Sequence, residues 1–222
     1  MNKQIVGITG LKRSGKDTSA EYLVNRYAFD RYSFAQPLKD MISVLMNCVD
    51  SNDKYFSELH KEENIPGINA SYRKLTQTIG TEWGRHMIDD NIWVNMLAAN
   101  TEYVDKIVIS DVRFDNEAKW VKKNGGIIIK VTRPVLKSSK DNHPSEQGID
   151  ESYIDHNIIN DGTIDSLHSK LDAIFGNTDT IYKSSLEQSL LEILDDVTLN
   201  DYNIALNLVK ELSKKLKLSF KF

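Results

Sequence analysis

Cysteine is almost absent from the 222 residues: Cys48 stands alone, so no intramolecular disulfide framework can form. Long apolar runs are missing too. None approaches the ~20 residues that a membrane-spanning helix needs. The stretch from Met1 to Thr9 has only the short apolar core Ile5 to Thr9 and no small-residue cleavage site, which does not fit a secretory signal. Nor is there a surplus of positive charge. Lys and Arg number 28 against 32 Asp and Glu, a formal net charge of −4, whereas sequence-independent DNA binding needs a broad basic face. Internal repeats and low-complexity tracts are not found. These absences lead us to expect a protein of a reducing compartment, the cytoplasm, whose partners are neither membrane nor nucleic acid. With 40% hydrophobic and 27% charged residues, the chain has the composition of an ordinary folded protein.

What is present is an alternation. Five short runs rich in β-branched residues occupy 4–9, 32–35, 106–110, 127–132 and 157–159. Most are continuously apolar, as strands covered on both faces are. Helical patterns lie between them. Ala20, Leu23, Val24 and Tyr27 fall at helical spacing after the first run, and Ile164, Leu167, Leu171, Ile174 and Phe175 do so after the fifth. Residues 115–124 read as a helix with Asp115 as its N-cap and Gly125 just past its end. This predicts an α/β fold: a parallel sheet with right-handed crossovers. Two connections are long. Residues 36–105 must hold helices of their own, and the polar stretch 134–156 reads as a mobile lid. Residues 177–222 form a separate tail. Leu186, Leu190, Leu191 and Leu194, then Ile204, Leu208, Leu212 and Leu216, suggest two amphipathic helices there. Its charge is split, with one Lys against six acids in 177–201 and five Lys against one acid in 202–222.

The sharpest motif joins the first strand to the first helix. Gly10-Leu11-Lys12-Arg13-Ser14-Gly15-Lys16-Asp17-Thr18 matches the phosphate loop G-x-x-x-x-G-K, in the strand–loop–helix setting that gives this motif its meaning. Glycines let the backbone curl so that N–H groups face phosphate oxygens, and the helix N-terminus adds its positive dipole. Lys16 would reach the outer phosphates. The usual Ser/Thr directly after the lysine is replaced by Asp17, and the hydroxyl comes one residue later at Thr18. Asp17 could hold a metal ion through water, or Thr18 could meet a phosphate.

A GTPase should also carry N-K-x-D, and the only Asn-Lys pair, Asn2-Lys3, precedes the loop and has no such Asp. A small kinase needs instead an acid near Mg²⁺, a second anion site and cations for the transferring phosphoryl group. Asp111, at the end of the third run, is the candidate acid, with a strand-end turn or helix cap as its plainer reading. C-terminal strand ends are where open α/β sheets place ligands. Arg113 follows it, and Arg133 ends the fourth run at the same sheet edge. Arg73 and Gln77 share a helix face opposite Leu75 and Ile79, and Arg85 follows Gly80 and Gly84, which should break or bend that helix. Lys137, Lys140 and His143 lie in the lid as ordinary surface residues or ligands. His143 has no second His or Cys at metal spacing, so zinc is excluded. Trp83, Trp93 and Trp120 read as packing residues, with base stacking as the alternative.

These stretches together resemble the deoxynucleoside monophosphate kinases of tailed bacteriophages. The likeness is carried by Gly10 to Thr18, Phe34-Ala-Gln-Pro-Leu-Lys-Asp40, Leu75-Thr-Gln-Thr-Ile-Gly-Thr81 with Arg85, Trp93-Val-Asn95, Ile109-Ser-Asp-Val-Arg113 with Asn116-Glu117, Val131-Thr-Arg-Pro134, Asp141 to Glu146 and Asn160-Asp-Gly162. They run in order through residues 1–176, and the tail lies outside them. The resemblance implies a P-loop kinase of three α/β/α layers with a five-stranded parallel sheet, a helical monophosphate-binding insertion and a lid. It implies transfer of the ATP γ-phosphoryl group to a deoxynucleoside 5′-monophosphate, for nucleotide supply in DNA synthesis, in the host cytoplasm if the chain is of phage origin. It also implies a homodimer.

Carried over, Gly10 to Thr18 hold the ATP phosphates and Mg²⁺, with Asp17, Thr18 and Asp111 as metal residues, some through water. Asn160, Asp161 and Gly162 line the adenine. Phe34, Ala35, Lys39, Arg73, Gln77, Arg85 and Trp93 hold the monophosphate, and Lys16, Arg85, Asp111, Arg113 and Arg133 act on the reacting phosphates. Two rivals remain. One is another small-molecule kinase of this fold, acting on dephospho-coenzyme A or phosphomevalonate. The other is a non-catalytic nucleotide-binding or assembly module.

Overall fold

In the computed structural model, which describes residues 3–48, 55, 60–134 and 147–176, strand β1 (Gln4–Thr9) is buried from Ile5 onward. Its continuous apolar character has a direct cause, because neighbours pair on both of its edges and helices cover both of its faces. After helix α1 (Lys16–Tyr27) comes strand β2 (Asp30–Tyr32), then helix α2 (Gln36–Cys48). A small antiparallel pair, β3 (Asn64–Ile65) and β4 (Ala70–Ser71), precedes helix α3 (Tyr72–Gln77). Helix α4 (Ile92–Asn100), strand β5 (Lys106–Ile109), helix α5 (Asp115–Lys123), and strands β6 (Ile127–Thr132) and β7 (His156–Ile159) follow, then helix α6 over residues 164–176. The five longer strands form one parallel sheet in the order β2-β5-β1-β6-β7. Val6 lies opposite Val108 of β5, and Ile8 opposite Ile129 of β6. The expected α/β sheet is present, with β1 central.

Alternate residues face opposite ways along each strand. Ile5, Ile107, Ile109 and Ile128 belong to a core shared with Ala118 and Val121 of α5 and with Leu38, Ile42, Trp93 and Leu97 of the insertion. Val6, Ile8, Val108, Ile129 and Val131 point to the other face and are equally buried. On that side α1 packs on β1, β2 and β5 with Ala20, Leu23 and Tyr27 turned inward. Each such aliphatic side chain contributes roughly 1.5–3 kcal/mol when taken from water.

Three expectations are corrected. The second strand is 30–32, not 32–35: residues 33–35 turn instead, because their polar groups are drawn to Asp111. Asp115 is not the cap of α5. Phe114 holds the N-cap position, and Glu117 reaches back to accept from the N–H of Arg113 (2.7 Å) and of Phe114 (3.1 Å), while Asp115 accepts from Asp150 N–H. Gly80 and Gly84 do not break the helix. The helix runs on through them as a π-helical segment, Thr78–Ile88, that continues α3. Trp93 fills the widened side. Its Nε1–H donates to Gly80 O at 2.7 Å, and a Cβ at Gly84 would lie 2.5 Å from the indole.

Gly125 behaves as expected. It takes φ +75° past α5, its N–H donates to Lys122 O, and Gly126 N–H donates to Val121 O, which closes the helix end. Of the expected α6 face, Leu167 is buried but Ile164 is 62% exposed, beside a pocket. Two compact units divide the chain, Met1–His168 and Ser169–Phe222. The lid residues Lys137, Lys140 and His143 and the tail helices lie outside the described residues. No helix among the described residues is long and apolar enough to cross a membrane.

Candidate active site

At the end of β1 the chain turns on Gly10 (φ +140°), and Gly15 (φ +111°) opens α1. Both conformations are left-handed, and both positions are crowded. A Cβ at Gly10 would lie 2.3 Å from Val131 O, and one at Gly15 would lie 2.5 Å from the Asn160 amide nitrogen. The loop between them therefore demands glycine at its two ends. Within it, Lys16 Nζ donates to Leu11 O at 2.8 Å, and the buried Ser14 hydroxyl has no hydrogen-bond partner among the described residues. Asn160 Nδ2 donates to Ser14 O at 2.8 Å, and Asn160 is itself buried. Its amide braces the loop from beneath. Asn160→Ala should therefore lower stability by about 1–3 kcal/mol, the cost of an orphaned buried carbonyl, and the melting temperature by roughly 3–10 °C. An unchanged thermal unfolding curve would show that the brace carries no weight.

Two hollows flank this loop at the C-terminal edge of the sheet. The smaller, about 400 Å³, is lined by Thr18, Arg133, Asn160, Gly162 and Ile164 with loop residues. The larger, about 970 Å³, runs from the loop along β2 and β5 to the insertion. Nine basic side chains line it against four acidic ones. A surplus of cations focused in a cleft suits a small polyanion, on a chain whose total charge is negative. Arg13, Lys16 and Asp17 line both hollows, so the loop stands between them.

The structure brings most of the expected residues to this edge. Lys12, Lys39, Arg73, Gln77, Arg85 and Arg113 line the larger hollow, and Arg133 and Gly162 the smaller. Asp161 is exposed next to Gly162. Arg73 is ion-paired with Glu62. Phe34 and Trp93 border the cleft but are core residues, 2% and 3% exposed, and Phe34 meets Trp120 edge-on with ring centres 6.3 Å apart. Asp111 is half-buried, and its carboxylate is engaged three times. Oδ1 accepts from Phe34 N–H (2.9 Å), and Oδ2 accepts from Ala35 N–H (3.0 Å) and the Ser33 hydroxyl (2.6 Å). This carboxylate shapes the turn 33–35 that borders the larger hollow.

Arg85, in the π-helical segment, is 5% exposed. Its Nη2 pairs with Glu117, its Nη1 donates to Asp90 O (2.8 Å) and Asn116 Oδ1 (3.2 Å), and its guanidinium lies 4.0 Å over the Phe114 ring. Burial pushes the Glu117 carboxyl up to about 7, against the pull of Arg85; Asp111 raises it further, and the Arg113 and Phe114 N–H donors lower it. Asp17 is largely exposed and ion-paired with Arg31 of β2.

The sequence gives no sign of Arg31 as a site residue, and Glu117 stands there only within the Asn116-Glu117 pair, without its partner Arg85 or its capping contacts. Arg31 sits in a short polar edge strand, 14 residues from its partner. For Glu117 there was a local signal, since an acid three residues past a helix start is a recognisable capping residue.

The sequence profile of the deoxynucleotide monophosphate kinase family matches residues 4–70 and 54–171. A protein of Acanthamoeba polyphaga mimivirus assigned this activity is 33% identical over 183 residues, covering 75% of this chain and 93% of its own. The deoxynucleotide monophosphate kinase of Enterobacteria phage T4 is 24% identical over 236 residues, covering 76% of this chain and 97% of its own. Among solved structures, a shikimate kinase from Aquifex aeolicus superposes with a TM-score of 0.41 at 14% identity, covering 78% of this chain and 98% of that one.

Proposed function

The chain belongs to the deoxynucleotide monophosphate kinase family and is a kinase, and from that premise we propose that it moves the γ-phosphoryl group of ATP onto a deoxynucleoside 5′-monophosphate at this sheet edge. The observation that carries the reading is the pairing of a glycine-built phosphate loop with an adjoining cleft in which cations outnumber acids nine to four. Such a cleft suits a second phosphate-bearing substrate. The smaller hollow, between Arg133, Gly162 and Ile164, is of the size and character for the base of ATP.

The loop fits the ATP phosphates through its backbone path and its charge: Gly10 and Gly15 hold φ +140° and +111°, and Arg13 and Lys16 line both hollows. Among the described residues no group of three or more His, Cys, Asp or Glu forms a metal cage. Mg²⁺ takes one or two protein ligands and completes its shell with phosphate oxygens and water. Asp17 and Thr18 would hold it, and it would neutralise charge on the donor phosphates. Asp111 has its oxygens engaged elsewhere, and its proposed role is to fix the Phe34–Ala35 backbone against the acceptor.

The acceptor phosphate is already a nucleophilic oxyanion, so no strong base is needed. Catalysis consists of setting two polyanions in line and neutralising the charge on the moving group. Lys16 supplies a mobile ammonium, Arg113 and Arg133 flank it from the ends of β5 and β6, and Arg85 holds the acceptor end. Lys39, Arg73 and Gln77 place the monophosphate. Both substrates belong to the cytoplasmic nucleotide pool.

Coupled ADP release measured over all common deoxy- and ribonucleoside monophosphates, with dephospho-coenzyme A and phosphomevalonate alongside, tests the reading. Turnover with one or more deoxynucleotides is expected. Turnover confined to dephospho-coenzyme A or phosphomevalonate, or none at all, would overturn it.

A further inference from the structure

We propose that Arg31 is a positioning residue of the phosphoryl-donor site, one that holds Asp17 as a neutral pair beside the phosphate loop. The proposal rests on the reading that Gly10 to Thr18 bind ATP. Asp17 stands directly after the loop lysine, where phosphate loops usually carry a hydroxyl. While no Mg²⁺ is bound, a carboxylate there is a liability, since it sits at the helix N-terminus that must receive an anionic polyphosphate. Some group has to offset its charge, and the structure supplies one from another element.

Arg31 Nη2 pairs with Asp17 Oδ1, reaching from β2 to the first turn of α1. The same guanidinium is anchored by a second partner. Its Nε–H and Nη2–H both donate to the hydroxyl of Ser110, at 3.3 and 3.1 Å, just past the end of β5. One side chain thus ties β2, β5 and α1 together at the edge where the substrates meet. All three residues line the larger hollow.

The anchor is what separates this arrangement from an ordinary surface ion pair. An exposed pair held only by two flexible side chains contributes little. Here Ser110 fixes the plane of the guanidinium through two N–H groups, so Nη2 is aimed at Asp17 before any ligand arrives. A lysine would hold the direction less firmly, because a rotating ammonium lacks the rigid planar fork that Ser110 grips through two N–H groups. Asp17 is held on Arg31 with its charge offset, and the loop keeps its positive field for phosphate.

The experiment measures ATP affinity of the 222-residue chain by calorimetry in excess EDTA. Arg31→Met should weaken metal-free ATP binding about tenfold, as expected of one uncovered like charge beside a bound anion. Adding Asp17→Asn should abolish that loss, leaving the double variant within about twofold of Asp17→Asn alone, because the charge needing an offset is gone. If Arg31→Met does not fold, as judged by its thermal unfolding curve, Arg31→Lys replaces it, with a smaller loss and the same rescue expected. Equal losses with and without Asp17→Asn, or a loss below twofold, would overturn the role of Arg31 while leaving the donor site intact. A wild-type chain that binds no ATP would overturn the donor-site reading and this proposal with it.

Discussion

Replacing Lys16 with alanine is expected to lower kcat about a thousandfold, to weaken ATP binding about tenfold, and to move the melting temperature by no more than about 2 °C. The separation of these effects follows from where the side chain sits. Lys16 begins α1, but its ammonium rests on Leu11 O at the surface of its own loop. The loop does not depend on that contact. Its path is set by Gly10 and Gly15 in left-handed conformations and by the Asn160 amide on Ser14 O. Removing the lysine therefore leaves the cradle standing and takes away one mobile positive charge. Backbone N–H groups and the α1 dipole still attract the resting phosphates, which is why binding suffers least. The charge that moves during transfer loses its partner, and a thousandfold corresponds to about 4 kcal/mol at 1.36 kcal/mol per decade. Lys16→Arg should not restore turnover, because a planar fork cannot follow the transferring group as a compact ammonium does. Steady-state kinetics with saturating ATP, set beside thermal unfolding, reads both halves. Near-normal turnover in Lys16→Ala would remove the loop from the mechanism.

The parts of the molecule that were legible in the sequence are those where backbone physics restricts residue type. Strands buried on both faces leave continuous apolar runs, so β1, β5 and β6 were found at almost their true limits. The phosphate loop was found because its curl requires glycine at two fixed places. The edge strand β2 escaped for the opposite reason. Asp30 and Arg31 are exposed and polar, and the apolar weight of Phe34 drew the expected strand into the turn that follows.

Side-chain pairing was harder to read than position. Asp111 was placed at the correct strand end, yet its carboxylate serves residues 77 positions earlier. The buried acid Glu117 and its partner Arg85 lie 32 residues apart on elements joined only by folding. The Arg31–Asp17 pair crosses from an edge strand to a helix. Nothing in local spacing reports such contacts. The π-helical widening was marked by Gly80 and Gly84, but its cause, the Trp93 indole, lies on the next helix.

Arg85→Met should destabilise the protein in a pH-dependent way, with the melting temperature falling by roughly 10 °C at pH 8.5 and by less than half of that at pH 5.5. In the wild-type protein the Glu117 carboxyl is held up to about 7, above its ordinary 4.5, chiefly by burial. Arg85 resists that rise, as do the Arg113 and Phe114 N–H donors, while Asp111 adds to it. The folded state thus binds a proton that the unfolded state has already released between pH 4.5 and 7. The stability this gives is complete below about 4.5 and is lost as the pH rises through 7, on the order of 3 kcal/mol across the window.

Taking Arg85 away removes the cation that pairs with the buried carboxylate among the described residues. The carboxyl is then pushed further up, and ionising it in the folded state costs more. Near pH 5.5 Glu117 is already neutral in either protein, so the variant loses mainly packing against Phe114 and the hydrogen bonds to Asp90 and Asn116. At pH 8.5 it must either hold an unpaired buried charge or take up a proton against the bulk, and leaving one partner of a buried pair alone typically costs about 3–5 kcal/mol. Adding Glu117→Gln should recover most of the deficit at pH 8.5 and little at pH 5.5, because it removes the charge and not the packing. Thermal unfolding of the four proteins at the two pH values forms a complete cycle. A deficit of equal size at both would mean that Arg85 acts through packing alone, and that the buried carboxyl sets neither the stability nor the placement of the arginine in the cleft.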